Sequence, residues 1–111
     1  MKLSSKKLLA QGVGSAATPL DLYNCPAGKL AEVNSLIVCN RGAADAIRVS
    51  VSLLSAATAT KDYLYYDLPL AATDTFAASL DIILPANSMF RVYSTTGNSS
   101  FTLFGDEVYT A

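Results

Sequence analysis

The chain has 111 residues, of which 51% are hydrophobic and 15% are charged, with a formal net charge of −1, two cysteines and no histidine or tryptophan. This length suits one domain that folds without metals or disulfides, and the apolar content excludes an intrinsically disordered protein. There is no basic surface for nucleic acid, no apolar run of the roughly 20 residues that span a bilayer, and no histidine to serve as general base or zinc ligand. We therefore expect no enzyme activity, no cofactor or metal, and neither a nucleic-acid nor a membrane partner.

The N-terminal segment is basic and partly apolar, and small residues follow it at positions 12–18. Its apolar run is shorter than the roughly seven residues of a secretory signal core, so we expect the protein to stay in the cytosol or leave by lysis. Residues 2–9 suit an edge strand or a flexible arm. We predict an arm and hinge over residues 1–18 that contact a neighbouring subunit, although an ordinary disordered terminus would have the same composition. The candidate contact residues are Lys2, Lys6, Lys7, Leu8 and Leu9.

The two cysteines, Cys25 and Cys39, are expected to be free thiols, because the cytosol keeps cysteines reduced. Nine extended residues from Leu30 to Cys39 span about 30 Å, whereas the Cα atoms of a disulfide lie within about 7 Å. A bridge would therefore need that strand to bend sharply. We expect Cys39 to lie in the core.

From residue 19 onward, apolar and polar residues alternate with a period of two, which predicts antiparallel strands. The predicted strands cover residues 20–23, 30–39, 47–53, 63–68, 76–82, 88–94 and 101–109. Turn-forming residues separate several of them, as at 26–28 and 85–87. Residues 19–111 are thus predicted to form one all-β domain, an antiparallel, jelly-roll-like β-sandwich of about eight strands.

Two segments of the chain have similar sequence patterns. Residues 26–33 and 85–92 both read Pro-Ala, a turn residue, and then a strand with Val seven positions after the Pro. Two Greek-key halves that enter strands through the same type of turn would give this repeat, and so would chance.

Residues 61–67, Lys-Asp-Tyr-Leu-Tyr-Tyr-Asp, form the densest aromatic cluster of the chain. Regular alternation puts Tyr63 and Tyr65 on one face of a strand and Tyr66 on the other. Tyrosines of this kind pack at the edge of a sandwich, contact a protein partner, or form a platform for a sugar ring. Tyr63, Tyr65 and Tyr66 are therefore the second group of candidate contact residues.

About four-fifths of the chain, from residue 22 to 108, resembles small structural proteins of tailed bacteriophages. In these, a Leu-Tyr-x-x-Pro-Ala-Gly-Lys turn leads into a Val-x-Ser-Ile-x-Val-Cys-Asn strand, and an Arg-Val-Tyr strand follows later. The segments that carry the resemblance are residues 22–29, 33–43, 47–51, 62–67, 74–76, 91–93 and 101–105.

The resemblance implies a non-enzymatic β-sandwich of the virion that forms homo-oligomers, for example trimers, on a capsid, neck or tail. We expect a capsid decoration or cement protein, assembled in the bacterial cytoplasm, that binds its own copies and the major capsid protein. A neck, tail or baseplate subunit is the alternative within this class. A receptor-binding carbohydrate module, with the tyrosines as its platform, is the alternative from another class.

Overall fold

The computed structural model describes residues 7–53 and 57–109, which form an all-β fold as predicted. One short 3-10 turn, Thr60–Asp62, is the single helical element of these residues. The strands are β1 Lys7–Val13, β2 Leu20–Asn24, β3 Lys29–Asn40, β4 Asp45–Leu53, β5 Tyr63–Leu70, β6 Thr75–Leu84, β7 Ser88–Ser94 and β8 Ser99–Tyr109.

The eight strands form two antiparallel sheets that pack as a sandwich. The first sheet has the order β1-β8-β3-β6 and the second has the order β2-β7-β4-β5. This is the strand order of an eight-stranded jelly roll built from two Greek keys. The predicted fold class is confirmed.

Alternating side chains of both sheets fill the core. On β3, Ala31 and Val33 point inward, and after a register shift between Val33 and Ser35 the inward positions become Leu36 and Val38. A β-bulge of this kind explains why the inward side chains change from odd to even numbers along one strand. The largest fully buried apolar side chains are Phe90, Phe101, Leu36, Ile47, Met89 and Leu103.

The repeated Pro-Ala turns occupy equivalent places in the fold. One joins β2 to β3 and the other joins β6 to β7, so both carry the chain from one sheet to the other. Their third residues, Gly28 and Asn87, have positive φ angles of 79° and 61°. The turns are also neighbours, since Asn87 N donates to Cys25 O at 3.0 Å and Cys25 N donates to Ser88 O at 2.8 Å.

The predicted N-terminal arm is partly a strand of the sandwich. β1 is an edge strand that pairs with β8, with Lys7 opposite Gly105 and Val13 opposite Ser100. The sandwich therefore includes Lys7–Val13, ahead of the predicted boundary at residue 19, because the backbone of this segment pairs within its own chain. Residues 1–6 lie outside the described part of the chain.

Both cysteines are free, as predicted. Cys25 is buried, with 1% of its surface exposed, whereas Cys39 is only partly buried. The inward positions near the end of β3 are Val38 and Asn40, so Cys39 between them points to the outer face of the first sheet. The expectation that Cys39 lies in the core is wrong.

Candidate functional site

The three tyrosines of β5 do not share one face of the second sheet. Tyr65 turns inward: it lies opposite Val49, and its ring meets that of Phe76 edge to face at 5.6 Å between centroids. Tyr63 and Tyr66 lie on the outer side, where their rings meet edge to face at 4.9 Å. The expectation that Tyr63 and Tyr65 share a face is therefore wrong, and Tyr63 and Tyr66 form the pair instead.

Two irregularities in β5 cause this arrangement. The register between β4 and β5 shifts on both sides of Val49, and each shift gives β5 one extra residue. Asp67, which follows Tyr66, has a positive φ of 51°. Because a bulge changes the side on which the following side chains fall, Tyr66 and Asp67 both reach the outer surface next to Arg48.

Arg48 of β4 lies between two aromatic rings on this surface. Its guanidinium carbon is 4.3 Å from the ring centroid of Tyr66 and 4.5 Å from that of Tyr93. Its Nε donates to Asp67 Oδ1 at 2.6 Å and its Nη2 to Asp67 Oδ2 at 3.4 Å. The hydrogen-bonded carboxylate raises the pKa of Arg48 above its ordinary value, against the opposing effect of burial. The guanidinium is thus charged and held in one place by its own chain.

Arg91 of β7 is fixed in a similar way. It lies opposite Asp21 of β2 on one side and Ser50 of β4 on the other. Its Nε donates to Asp21 Oδ1 at 2.6 Å, and its Nη1 donates to Thr58 Oγ1 at 2.7 Å. The contact with Thr58 ties the loop before β5 to the middle of the sheet.

These side chains form one continuous outer surface, which we call the tyrosine–arginine face: Arg48, Tyr63, Tyr66, Arg91 and Tyr93. A hollow of about 390 Å³ lies beside it, lined by Thr58, Thr60, Tyr63 and Tyr66. Tyrosine and arginine carry a large share of binding energy in protein interfaces, and tyrosine rings also stack on sugars. The surface is therefore suited to binding.

The N-terminal candidate residues point in different directions. Lys7 Nζ forms an ion pair with Asp106 at 2.9 Å. Leu8 lies opposite Phe104 on the outer face of the first sheet and is 53% exposed. Leu9 packs against the hydrophobic core.

The two groups of candidate residues are not brought together. β1 is an edge of the first sheet and β5 is an edge of the second. β1 lies over β2, whereas β5 lies over β6 through Tyr65 and Phe76, so the two groups occupy opposite sides of the sandwich. Lys2 and Lys6 lie outside the described residues.

A second polar cluster lies between the sheets near the Pro-Ala turns. Tyr23 donates a hydrogen bond to Glu107 Oε2, and Lys29 Nζ approaches Glu107 Oε1 at 3.3 Å. The bond from Tyr23, helped by Lys29, lowers the pKa of Glu107, while burial and the same bond raise the pKa of Tyr23. Burial also raises the pKa of the Cys25 thiol, which stays protonated. This cluster holds the sheets together.

Asp45 forms a buried hub at the other end of the sandwich, which the sequence analysis missed. Its Oδ2 accepts hydrogen bonds from Ser94 Oγ at 2.5 Å and Ser99 Oγ at 2.6 Å. Its Oδ1 accepts from the backbone of Ala46 at 2.8 Å and Thr96 at 3.1 Å. Burial alone raises the pKa of Asp45, but these bonds outweigh it and hold the pKa below its ordinary value. With four donors around it, this carboxylate has a structural role.

Among residues 7–53 and 57–109, no group of three or more His, Cys, Asp or Glu side chains could hold a metal ion. The same residues include no helix that is long and apolar enough to cross a membrane. No protein-family model, no curated protein and no solved structure matches the chain.

Proposed function

We propose that this protein is a non-enzymatic structural component of a tailed-phage virion. Within that class we propose a capsid decoration or cement protein that binds across neighbouring coat subunits with its tyrosine–arginine face. The particle forms in the bacterial cytoplasm, and a neck or tail position is the alternative within the same class. The sequence resemblance of residues 22–108 supports the class.

The observation that carries the proposal is the ordered state of the tyrosine–arginine face. Arg48 is held by two rings and one carboxylate, and Arg91 is held by Asp21 and Thr58. Binding normally costs about 0.5–1.5 kcal/mol for each flexible side chain that becomes immobilised. This face avoids most of that cost, because its long side chains are already fixed in the free protein.

Cementing follows from the use of several contacts at once. A protein that touches two coat subunits gains effective concentration for its second contact once the first has formed. Weak individual contacts then add up to firm attachment, and the bound protein holds the two subunits together against pressure from inside the shell.

The test measures attachment to particles that lack this protein. Tyr66→Ala and Arg48→Ala are expected to weaken attachment at least about tenfold, as is usual for central interface residues. Tyr109→Ala is the matched control, because Tyr109 is 83% exposed at the end of β8, away from the tyrosine–arginine face. Equal attachment of all three variants and the wild type, or the protein's absence from assembled particles by mass spectrometry, would contradict the proposal.

A carbohydrate-binding module is the second candidate function, and the hollow beside Tyr63 and Tyr66 favours it. Two threonines, Thr58 and Thr60, line this hollow together with the two rings. Hydroxyl groups beside an aromatic platform are the chemistry that a sugar ring requires. Binding on a glycan array that is lost in Tyr66→Ala and kept in Tyr109→Ala would favour this function over the first.

A further inference from the structure

A hollow of about 400 Å³ lies at the edge of the sandwich, where β5 stops short of the end of β4. β5 begins at Tyr63, opposite Ser50, so Val51–Leu53 of β4 extend beyond it. The end of β6, the turn at Pro85 and the loop before β5 complete the walls of the hollow. Its volume falls within the range of roughly 300–1,000 Å³ that is usual for small-molecule sites.

Most of the lining of this hollow is apolar. Leu84 belongs to the hydrophobic core and Val51 packs against it, so part of the wall is the core itself. Leu53 and Ile83 also line the hollow, although 67% and 63% of their surfaces are exposed. An apolar molecule in the hollow would remove this surface from water, which favours binding.

Nearly all polar groups of the lining already have partners. Lys61 Nζ lies 3.6 Å from Asp62 Oδ1, so the two opposite charges offset each other. Asp62 Oδ2 also accepts a hydrogen bond from Ala59 N at 2.8 Å. The hydroxyl of Ser88 donates to Pro85 O at 2.6 Å. These groups leave no charge for a ligand to neutralise, which favours a neutral molecule over an ion.

Ser52 is the exception in this lining. Its Oγ is the single buried side-chain nitrogen or oxygen among residues 7–53 and 57–109 that has no hydrogen-bond partner. A buried hydroxyl without a partner costs free energy, and buried polar groups normally have one. Because no hydrogen bond holds this Oγ, a rotation about χ1 can turn it towards the hollow that Ser52 lines.

From these contacts we infer that the hollow binds a small, neutral, mainly apolar molecule with one hydroxyl or carbonyl group. The apolar part lies against Val51, Leu53 and Ile83, and the polar group forms a hydrogen bond with Ser52. The inference concerns the edge of the sandwich and does not depend on the function proposed for the tyrosine–arginine face.

The first test measures the binding of two probes by NMR titration at neutral pH. The probes are α-naphthol and α-methylnaphthalene, which have the same shape and differ in one hydroxyl group. Both are expected to shift the backbone amide signals of Val51–Leu53 and Ile83. Leu53→Ala is expected to weaken both affinities about fivefold, because it removes part of the apolar wall. Leu64→Ala is the matched control, since Leu64 is 41% exposed and lies outside the hollow.

Two results of this titration would overturn the inference. One is the absence of binding by either probe, which would mean that water alone fills the hollow. The other is equal affinity of Leu53→Ala and Leu64→Ala for the probes, which would place the binding elsewhere on the protein.

The second test asks whether Ser52 supplies the hydrogen bond. In Ser52→Ala the ratio of the affinity for α-naphthol to that for α-methylnaphthalene is expected to fall about fivefold, because one net hydrogen bond is lost. Ser79→Ala, at an exposed position of β6, is the matched control and is expected to keep the wild-type ratio. The ratio is taken within each variant, so a change in stability does not affect it. An unchanged ratio in Ser52→Ala would overturn the inference.

Discussion

The two outer faces of the sandwich differ in chemistry although the same kind of strand builds both. The second sheet presents the tyrosine–arginine face, where aromatic rings and carboxylates hold two guanidinium groups. The outer side of the first sheet presents small, hydroxyl-bearing and apolar side chains, such as Ser100, Thr102 and Ile37. Fixed arginines and tyrosines are side chains that contribute much of the binding energy in protein interfaces, whereas small and hydroxyl-bearing side chains contribute less. The difference teaches that the two sheets of one small sandwich can carry outer faces of different chemistry.

The largest effect is expected from a change that breaks the first sheet alone. A Cβ atom at Gly105 would lie 2.0 Å from the carbonyl oxygen of Glu32 and 2.9 Å from Leu9, so β8 would have to move away from β3. Gly105→Ala is expected to lower the free energy of unfolding by about 3 kcal/mol, as measured by urea denaturation. Gly14→Ala is the control, because a Cβ there meets only ordinary contacts. A neutral Gly105→Ala would show that β8 and β3 are not packed as described.

The next largest effect concerns the hub that joins the two sheets. Asp45 of the second sheet accepts hydrogen bonds from Ser94 of the same sheet and Ser99 of the first. Asp45→Ala leaves these buried hydroxyls without their acceptor and is expected to cost about 2 kcal/mol of unfolding free energy. Asp74→Ala, at an exposed position where the carboxylate accepts from Thr75 N, is expected to cost much less. Similar losses in both variants would contradict the role of the hub.

The hydrogen bonds of Asp45 should also make the stability of the protein depend on pH. The pKa of Asp45 is lowered in the folded protein, so its contribution to stability is present above the pKa of the unfolded chain, about 3.9, and is lost as the pH falls through the folded value. The unfolding free energy of the wild type should therefore fall on acidification below about pH 4, and that of Asp45→Asn should fall less steeply. Parallel pH profiles of the two proteins would contradict the lowered pKa.

A smaller effect on stability is expected at the tyrosine–arginine face. Arg48→Ala removes contacts with two rings and one ion pair on a partly exposed surface, which together contribute about 1 kcal/mol. Arg48→Lys should recover only part of this loss. The ammonium group keeps the positive charge, but it cannot match the planar fork of the guanidinium. Arg41→Ala, at an exposed position, serves as the control in thermal denaturation. A loss as small as that of the control would indicate that Arg48 is not held in place.

The last prediction leaves stability unchanged and concerns the rates at which the two thiols react. Cys39 on the outer side of the first sheet should react with a thiol reagent at least about tenfold faster than Cys25, which is buried and has a raised pKa. Single-thiol variants, Cys25→Ser and Cys39→Ser, separate the two rates. Equal rates at the two thiols would contradict the assigned burial.

Alternation and turn chemistry made the fold predictable from the sequence. Period-two segments between Pro, Gly and Asn turns indicated a sandwich of about eight strands, and the order of the strands confirms a jelly roll. The sequence repeat at Pro26 and Pro85 corresponds to equivalent turns of the fold. Each turn connects a strand of one sheet to a strand of the other, and the third residue of each has a positive φ. Local signals of this kind depend on only a few neighbouring residues.

The remaining features depend on contacts between distant residues. Both register shifts of β5 appear only in its pairing with β4: one separates Tyr63 from Tyr65, and the other brings Tyr66 and Asp67 to the outer surface. The bonds of Asp45 join residues 49 and 54 positions apart, and a single sequence does not show such pairs. The same holds for Arg48, whose position between Tyr66 and Tyr93 depends on three neighbouring strands.

The most direct measurement is an electron cryomicroscopy reconstruction of the assembled particle. We expect jelly-roll density on the shell, with Tyr66, Arg48 and Tyr93 facing coat subunits. Particles in which the protein is bound with the tyrosine–arginine face exposed to solvent, or particles without it, would contradict the account.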